Sequence, residues 1–265
     1  MRGAICYYSG TGNTRLVCEN IAARLRFEID LFDVTAGEDV DLGPYDIVGL
    51  AAPTDFRGAP QRFETFVAGL PAQNGKPAFV LNTCGLASGP TLSNLADQAT
   101  ARGFTIVAGH TLRMPESYPP MIAIHLSFTN RPNLKDMRGL DAFVVELRDL
   151  SGRIQQGESV GARKVKVSLL NGMSSSAKRT PARDDMGEKF VDPELCVECG
   201  TCAMSCPYGA ITLMPKPDFD MEACRGCWRC YNRCAQHAIY TKKFRGGPYY
   251  PKPPGLAGET LRSQG

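Results

Sequence analysis

Near the start of the chain stands the hexapeptide Ser9-Gly10-Thr11-Gly12-Asn13-Thr14. The apolar run at residues 2–8 precedes it and predicts a β-strand, whereas residues 15–25 carry apolar side chains at helical spacing. In such a loop, backbone N–H groups converge at the positive end of the helix dipole, where phosphate binds. The stretch therefore predicts a strand, a phosphate-binding loop and a helix, which is the first unit of an α/β domain.

The loop differs from two well-known phosphate motifs. A Walker A loop ends in Gly-Lys-Ser/Thr, which is missing, and a dinucleotide fingerprint places a third glycine where Arg15 stands. Glycines at 10 and 12 allow close approach of the backbone, and the hydroxyls of Ser9, Thr11 and Thr14 add donors. These residues predict a phosphorylated ligand and leave its identity open, including the alternative of a loop that has lost its ligand.

The chain continues as alternating strands and helices. Apolar runs predict strands at 28–34, 45–52, 76–84 and 104–112, and helical periodicity predicts helices at 59–70, 89–102 and 133–156. This alternation is typical of a doubly wound α/β fold with a five-stranded parallel sheet. Ligands in that fold bind beyond the carboxyl ends of the strands, so the loops at 53–58 and 82–89 become candidate site segments.

The pattern Ser/Thr-x-Thr-Gly-x-Thr in this context resembles the phosphate loop of flavodoxins, and the resemblance covers roughly residues 1–150. It implies FMN, bound by Ser9, Gly10, Thr11, Gly12, Asn13, Thr14, Pro53, Thr54, Asp55, Phe56, Thr83, Cys84, Gly85, Leu86 and Gly89. Flavodoxins commonly place an aromatic residue in each ring-flanking loop. Here Phe56 is in the first, but the second has none, so we expect one ring face to be open. Cys84 is predicted to be a small buried residue, and Tyr118, in the loop after the fifth strand, could lie over the site.

Eight of the eleven cysteines form two copies of the spacing C-x2-C-x2-C-x3-C. This spacing is that of the bacterial-type ferredoxin with two [4Fe–4S] clusters, which residues 196–234 resemble. The resemblance implies that each tight triplet takes its fourth ligand from the other copy. One cluster would be held by Cys196, Cys199, Cys202 and Cys234, and the other by Cys224, Cys227, Cys230 and Cys206. Structural zinc and a disulfide framework are the weaker alternatives.

Composition and length complete the organisation. We predict a flavodoxin-like domain at 1–156, a basic linker at 157–187, a ferredoxin domain at 188–245 and a Pro/Gly-rich tail at 246–265. Residues 151–183 hold seven Lys or Arg and one Glu, which predicts either a solvated linker or a docking strip for an acidic redox partner. A net charge of +3 argues against nucleic-acid binding, and no apolar run is long enough to span a membrane. Free thiols and cluster ligands suggest a reducing cytoplasm and an anaerobic source.

The combination resembles the EFR1-type ferredoxins of bacteria and archaea. It implies a low-potential electron-transfer protein that links a flavin or ferredoxin donor to a metalloenzyme acceptor. An FMN-dependent iron–sulfur reductase of a small organic substrate is the alternative, and a redox sensor is a third possibility. A homodimer would allow the relay to run between chains. Which cluster faces the flavin is left open by the sequence.

Overall fold

The computed structural model describes residues 1–37, 40–165, 184, 186–252 and 255–256. Its first domain contains a five-stranded parallel sheet in the order β2-β1-β3-β4-β5. The strands are β1 Arg2–Tyr7, β2 Glu28–Asp33, β3 Ile47–Pro53, β4 Pro77–Cys84 and β5 Thr105–Arg113. The second strand lies on one side of β1, and β3 and the later strands are added on its other side. This change of side between β1 and β3 confirms the predicted flavodoxin-like doubly wound sheet.

Five helices accompany these strands: α1 Asn13–Arg24, α2 Gln61–Gly69, α3 Thr91–Ala101, α4 Pro119–Ala123 and α5 Leu134–Gln155. Four of them lie within about two residues of the predicted bounds. Helix α5 begins at a capping box, in which the Asn133 side chain accepts the N–H of Asp136 and the Asp136 side chain accepts the N–H of Asn133. The short helix α4 falls in a segment predicted as a loop, because its prolines suit only the first turn of a helix.

Both faces of the sheet are covered by apolar cores. In β1, Ala4 and Cys6 belong to one core, whereas Ile5 and Tyr7 belong to the other, as the alternation of side chains along a strand requires. Helix α5 packs on the second core through the predicted apolar residues Leu140, Phe143, Val144, Leu147 and Leu150. Among the described residues, no helix combines the length and apolar character that a membrane crossing requires.

The cysteine-rich segment forms a second, smaller module. Strand β6 Lys189–Val191 pairs with β9 Ile239–Thr241, and β7 Ile211–Leu213 pairs with β8 Pro217–Phe219, both antiparallel. Between them lie two short helices, α6 Thr201–Met204 and α7 Arg229–Arg233. Trp228 and Tyr231 are central to the module's own core. The small α+β ferredoxin domain predicted from the cysteine spacing is therefore present.

The segment after residue 246 returns to the first domain. Tyr249 stacks on the His237 ring with centroids 3.7 Å apart, and the Tyr250 hydroxyl donates to Asn13 Oδ1. Leu256 is 2 % exposed and belongs to the same apolar core as the buried side chains of α5. The described part of the tail thus ties the two domains together, whereas the domain boundaries themselves stay a prediction.

The predicted basic docking strip lies partly outside the described residues, which omit Lys166, Lys178, Arg179 and Arg183. Of the described members, Arg153 pairs with Glu158 at 2.8 Å and Arg163 pairs with Glu146. These pairs neutralise part of the strip, and the acidic partner stays a prediction.

His110 on β5 makes the stability of the first domain depend on pH. Its ring stacks on Phe143 at 5.2 Å, its Nε2 has no hydrogen-bond partner among the described residues, and burial lowers its pKa to about 4. The unfolded chain takes up this proton near pH 6.5 and the folded chain does not, so stability is full above that pH and falls as the pH drops towards 4. Between pH 7 and 5 we expect a loss of roughly 1–2 kcal/mol from this residue.

The measurement is the urea midpoint at both pH values for the native protein and for His110→Gln, which does not titrate. The variant should lose less stability on acidification. Parallel losses in the two proteins would contradict the assignment to His110.

Candidate functional site

A cavity of about 330 Å³ lies beyond the carboxyl ends of the strands. Loops that follow β1, β3, β4 and β5 line it, as does a short segment of the cysteine-rich module. The sequence-predicted site residues among its walls are Ser9, Gly10, Thr11, Asn13, Thr14, Pro53, Thr54, Asp55, Phe56, Thr83, Cys84, Gly85 and Leu86. The three loops predicted from the sequence are thus brought together around one space.

Two predicted residues, Gly12 and Gly89, do not line the cavity but shape its loops. Gly12 precedes α1 with φ 106°, a left-handed conformation in which a side chain is strained. Gly89 has φ 52°, and a Cβ there would lie 2.7 Å from the Cβ of Arg57. Both glycines therefore act on the cavity through the backbone.

The phosphate loop presents unpaired donors to open space. The N-cap residue of α1, Gly12, has no side chain to cap the helix, and in the first turn the Ser9 hydroxyl oxygen accepts the Arg15 N–H at 3.2 Å. A Cβ on Gly10 or Gly12 would meet nothing within 4 Å. The Thr14 and Thr83 hydroxyls are 2.9 Å apart and fix the loop against β4, and buried Asn13 donates to the Pro115 carbonyl at 3.0 Å. A held loop with free N–H groups at a helix start fits a phosphate monoester such as that of FMN.

The loop after β3 is a tight turn that holds Phe56 at the cavity. Asp55 and Gly58 exchange two backbone hydrogen bonds of 2.7 and 3.1 Å, and Phe56 between them has φ 50°. The Phe56 ring meets Tyr118 edge to face at 5.3 Å, and Tyr118 meets Trp228 at 6.3 Å. The aromatic that the loop after β4 lacks is thus supplied by the loop after β5 and by the cysteine-rich module. The open ring face stays a prediction, and the additional aromatic side chains at the cavity come from distant parts of the chain.

Glu116 is a cavity residue that sequence reasoning missed. Its Oε1 accepts the N–H groups of Ser117 at 2.9 Å and Tyr118 at 3.1 Å. The carboxylate lies over Gly85, where a Cβ would collide with it. One feature of the sequence could have identified Glu116 as a site residue: it follows β5, at the edge of the sheet where ligands bind in this fold.

Cys84 lines the cavity as an unreactive group. It is buried, and burial raises the pKa of its thiol to about 12, so the nucleophilic thiolate is not formed near neutral pH. This agrees with the prediction of a small buried residue.

The second cysteine motif surrounds a smaller cavity. Its walls include Cys206, Cys224, Cys227 and Cys230 together with Lys189 and Arg229. These four cysteines are the set that the ferredoxin resemblance assigns to one cluster, including Cys206 from the other motif. The Lys189 ammonium donates to Cys224 Sγ at 2.7 Å. Burial alone would lower the pKa of Lys189, but the neighbouring Cys230 and Cys224 outweigh it and the pKa is raised.

The remaining four motif cysteines, Cys196, Cys199, Cys202 and Cys234, line neither of these two cavities. Burial raises the pKa of the Cys202 thiol, and the thiols of Cys234 and Cys196 act in the same direction because they are close. Cys199 is exposed and its Sγ is 3.4 Å from the Thr201 hydroxyl. Among the described residues, which include all eight motif cysteines, no His, Cys, Asp or Glu group is arranged to hold a single metal ion. An all-thiolate set suits an iron–sulfur cluster.

The two cavities share a wall. Cys227 lines both of them, and Trp228 and Gly226 line the large one beside it. Arg229 donates to the Ser9 carbonyl at 2.6 Å and Asn232 donates to the Ser117 carbonyl at 2.9 Å. The second motif therefore faces the predicted flavin site, which sequence spacing could not reveal across more than 200 residues.

Comparison with known proteins gives the same two parts. The family described as flavodoxin domain matches residues 4–110, and that described as 4Fe-4S binding domain matches residues 189–212, which contain the first cysteine motif. Pyruvate synthase subunit PorD of Methanocaldococcus jannaschii is 41 % identical over 52 residues, and that of Methanothermobacter marburgensis is 36 % identical over 50. The chain spans only 60 % and 59 % of these two relatives, and the matches take up 19 % of this chain.

An uncharacterised ferredoxin of Methanocaldococcus jannaschii is 35 % identical over 60 residues, which cover 78 % of that protein and 21 % of this chain. Among solved structures, a flavodoxin from the domain Archaea (17 % identity, TM-score 0.43) covers 58 % of this chain and 99 % of its own. Flavodoxin 1 of Bacillus cereus (20 % identity, TM-score 0.44) covers 56 % and 98 %.

The EFR1-type assignment and the individual site residues stay predictions. The broader identity is established by the sheet order, the phosphate loop and the two matching domains. The chain belongs to the ferredoxins as a flavodoxin–ferredoxin fusion, and its two matching domains support an electron-transfer role.

Proposed function

We propose that the protein relays electrons between FMN and two [4Fe–4S] clusters, and so couples a flavin or ferredoxin donor to a metalloenzyme acceptor. The observation that carries the proposal is that Cys227 lines both the flavin cavity and the cavity of the second motif. A shared wall brings two redox groups close enough to exchange electrons within one chain.

The two proposed cluster sites lie at different distances from the flavin cavity. We call the set Cys206, Cys224, Cys227 and Cys230 the proximal cluster site, because it borders the flavin cavity. The set Cys196, Cys199, Cys202 and Cys234 is the distal cluster site, with Cys199 exposed. A flavin exchanges electrons singly or in pairs, whereas each cluster passes one at a time. A relay in the order FMN, proximal site, distal site would therefore convert between two-electron and one-electron transfer.

Residues of both domains keep water out of the junction between the sites. Trp228 is 2 % exposed and packs edge to face on Tyr231 and Phe244. Tyr118 bridges from Trp228 to Phe56 across the cavity. Exclusion of water lowers the local dielectric constant, which strengthens the electrostatic control of redox groups.

The distal end offers a surface at which a redox partner can deliver or accept electrons. Exposed apolar side chains surround its motif, among them Val197, Met204 and Met214, and large exposed apolar groups commonly mark contact surfaces. A redox partner that docks there would approach the exposed ligand Cys199. Two similar proteins bear the name of subunits of pyruvate synthase, which supports an oxidoreductase as that partner.

Glu116 favours a second candidate, an FMN-dependent reductase of a small organic substrate. Its half-buried carboxylate lies at the cavity wall, and carboxyl side chains are among the groups that transfer protons in such reductions. Saturable turnover of a substrate that is lost in Glu116→Gln, with flavin-to-cluster transfer intact, would establish the reductase in place of the carrier.

The two-cluster claim predicts about eight iron atoms and one FMN per chain after anaerobic reconstitution. Cys206→Ser removes a proximal ligand and should lower the iron content and change the EPR spectrum of the reduced protein. Cys84→Ser, at a buried cysteine outside both motifs, is the matched control and should retain all the iron. An iron content of about four in the native protein would contradict a second cluster.

The relay itself is tested by flash photoreduction of the FMN in the reconstituted protein. We expect the clusters to be reduced in a first-order phase whose rate does not depend on protein concentration, because the two cavities share a wall within one chain. A rate proportional to concentration would instead show transfer between molecules and overturn the order of sites proposed here.

Gly12 provides a test of the FMN site. Its φ of 106° is costly for a side chain, by about 1–2 kcal/mol, so Gly12→Ala should distort the phosphate loop. We expect FMN affinity to fall roughly tenfold, measured by quenching of flavin fluorescence during titration. Gly69→Ala, where a Cβ meets nothing within 4 Å, is the control and should bind normally. Equal affinity in both variants would remove Gly12 from the site.

A further inference from the structure

Lys189 is a buried cation beside the proximal cluster site. It is 6 % exposed, whereas lysines almost always lie in water unless they have a partner. Its backbone is fixed as the first residue of β6, opposite Thr241 of β9. The strand pairing thus directs the ammonium group into the module, where it donates to Cys224 Sγ at 2.7 Å.

We propose that Lys189 raises the reduction potential of the proximal cluster above that of the distal cluster, so that an electron entering the pair rests beside the flavin. The inference rests on the proposed two-cluster relay and assigns it a direction. In the step concerned, one electron leaves the reduced distal cluster and reduces the oxidised proximal cluster, and no bond is formed or broken.

The physical reason is the charge that reduction adds. A reduced cluster carries one more negative charge than the oxidised cluster, and a nearby cation stabilises that charge strongly where water is excluded. A hydrogen bond from a charged donor to a thiolate acts in the same direction, since hydrogen bonds to the sulfurs are one of the factors that set cluster potentials. Both effects favour the reduced form of the proximal cluster.

Arg229 adds a second cation to the same cavity. It is 5 % exposed, lines the cavity with Lys189, and is held in place by its bond to the Ser9 carbonyl. Its interactions with the phosphate loop make it a poor residue to mutate. Lys189 contacts a cluster ligand but does not line the flavin cavity, so its substitution tests the effect of a cation on the cluster without altering the flavin site.

The distal site differs in its donors and its neighbours. The thiol of Cys199 contacts the neutral Thr201 hydroxyl, and that of Cys234 accepts the Ala238 N–H, as the proximal Cys206 accepts the Ala210 N–H. Exposed Glu194 and Glu198 flank Cys196 in sequence, and Lys216 is engaged by Glu198 at 3.1 Å. Neutral donors and acidic neighbours give the distal cluster less stabilisation of added negative charge from the protein than Lys189 gives the proximal cluster, although water at the exposed Cys199 acts in the opposite sense.

The experiment is an EPR-monitored redox titration of the reconstituted protein and of Lys189→Met, which keeps the length of the side chain and removes its charge. We expect the reduction potential of one cluster to fall and that of the other to stay the same. The equilibrium constant for electron transfer between the two clusters should change at least tenfold, which corresponds to about 59 mV. Lys189→Arg should largely restore the native values. Lys216→Met, a partly exposed lysine beside the distal motif, should leave the proximal potential unchanged.

The affected cluster is identified by the flash experiment. If Lys189 acts on the proximal cluster, the first cluster reduced after the FMN should gain less of the electron at equilibrium in Lys189→Met. Unchanged potentials in an iron-replete variant, or equal shifts of both clusters, would overturn the inference. Loss of the cluster in both Lys189→Met and Lys189→Gln would also count against it, since Lys189 would then be structural.

The inference and the relay fail in different ways. Unchanged potentials in Lys189→Met together with first-order flash transfer in the native protein would remove the role of Lys189 and leave the relay standing. Shifted potentials without any transfer from FMN in the native protein would remove the relay and leave the effect of Lys189 on its cluster.

Discussion

The hydrogen bond from the Arg229 guanidinium to the Ser9 carbonyl oxygen joins the two halves of this protein. It is 2.6 Å long and buried, and it links the residue before the phosphate loop glycines to the helix that follows Trp228. A buried carbonyl or guanidinium left without a partner costs about 1–3 kcal/mol or more. Each domain thus satisfies a polar group of the other, and their separation would expose both to water or leave them unpaired.

Further contacts reinforce this junction at the same edge of the sheet. Asn232 donates to the loop after β5, and Tyr250 of the tail donates to Asn13 of the phosphate loop. The loops that surround the flavin cavity are therefore also the surface on which the ferredoxin module rests. Because the same loops form the predicted FMN site and contact the cysteine-rich module, Cys227 comes to line both cavities.

Much of the fold followed from local patterns. Apolar periodicity predicted the five strands of the first domain and four of its five helices, because each pattern is set by neighbours within one element. Helix α4 was missed since Pro119 and Pro120 weaken any helical signal outside a first turn. In the site, thirteen predicted residues line the cavity, but Gly12 and Gly89 act through backbone conformation. The sequence did not place Tyr118, Glu116 and Trp228 among the site residues, because no short-range spacing along the chain identifies the residues that will line a cavity.

The sequence by itself determined the parts of this protein that depend on spacing along the chain. These are the phosphate loop at Ser9–Thr14, the alternating strands and helices, and the two cysteine motifs with the chemistry that their spacing permits. The tertiary structure alone decided which motif faces the predicted flavin site, where the aromatic lining of that cavity comes from, and that Lys189 is buried against Cys224. Those outcomes depend on contacts between residues far apart in the chain, and the free energy of such contacts is settled only when both surfaces have been packed together and their polar groups paired.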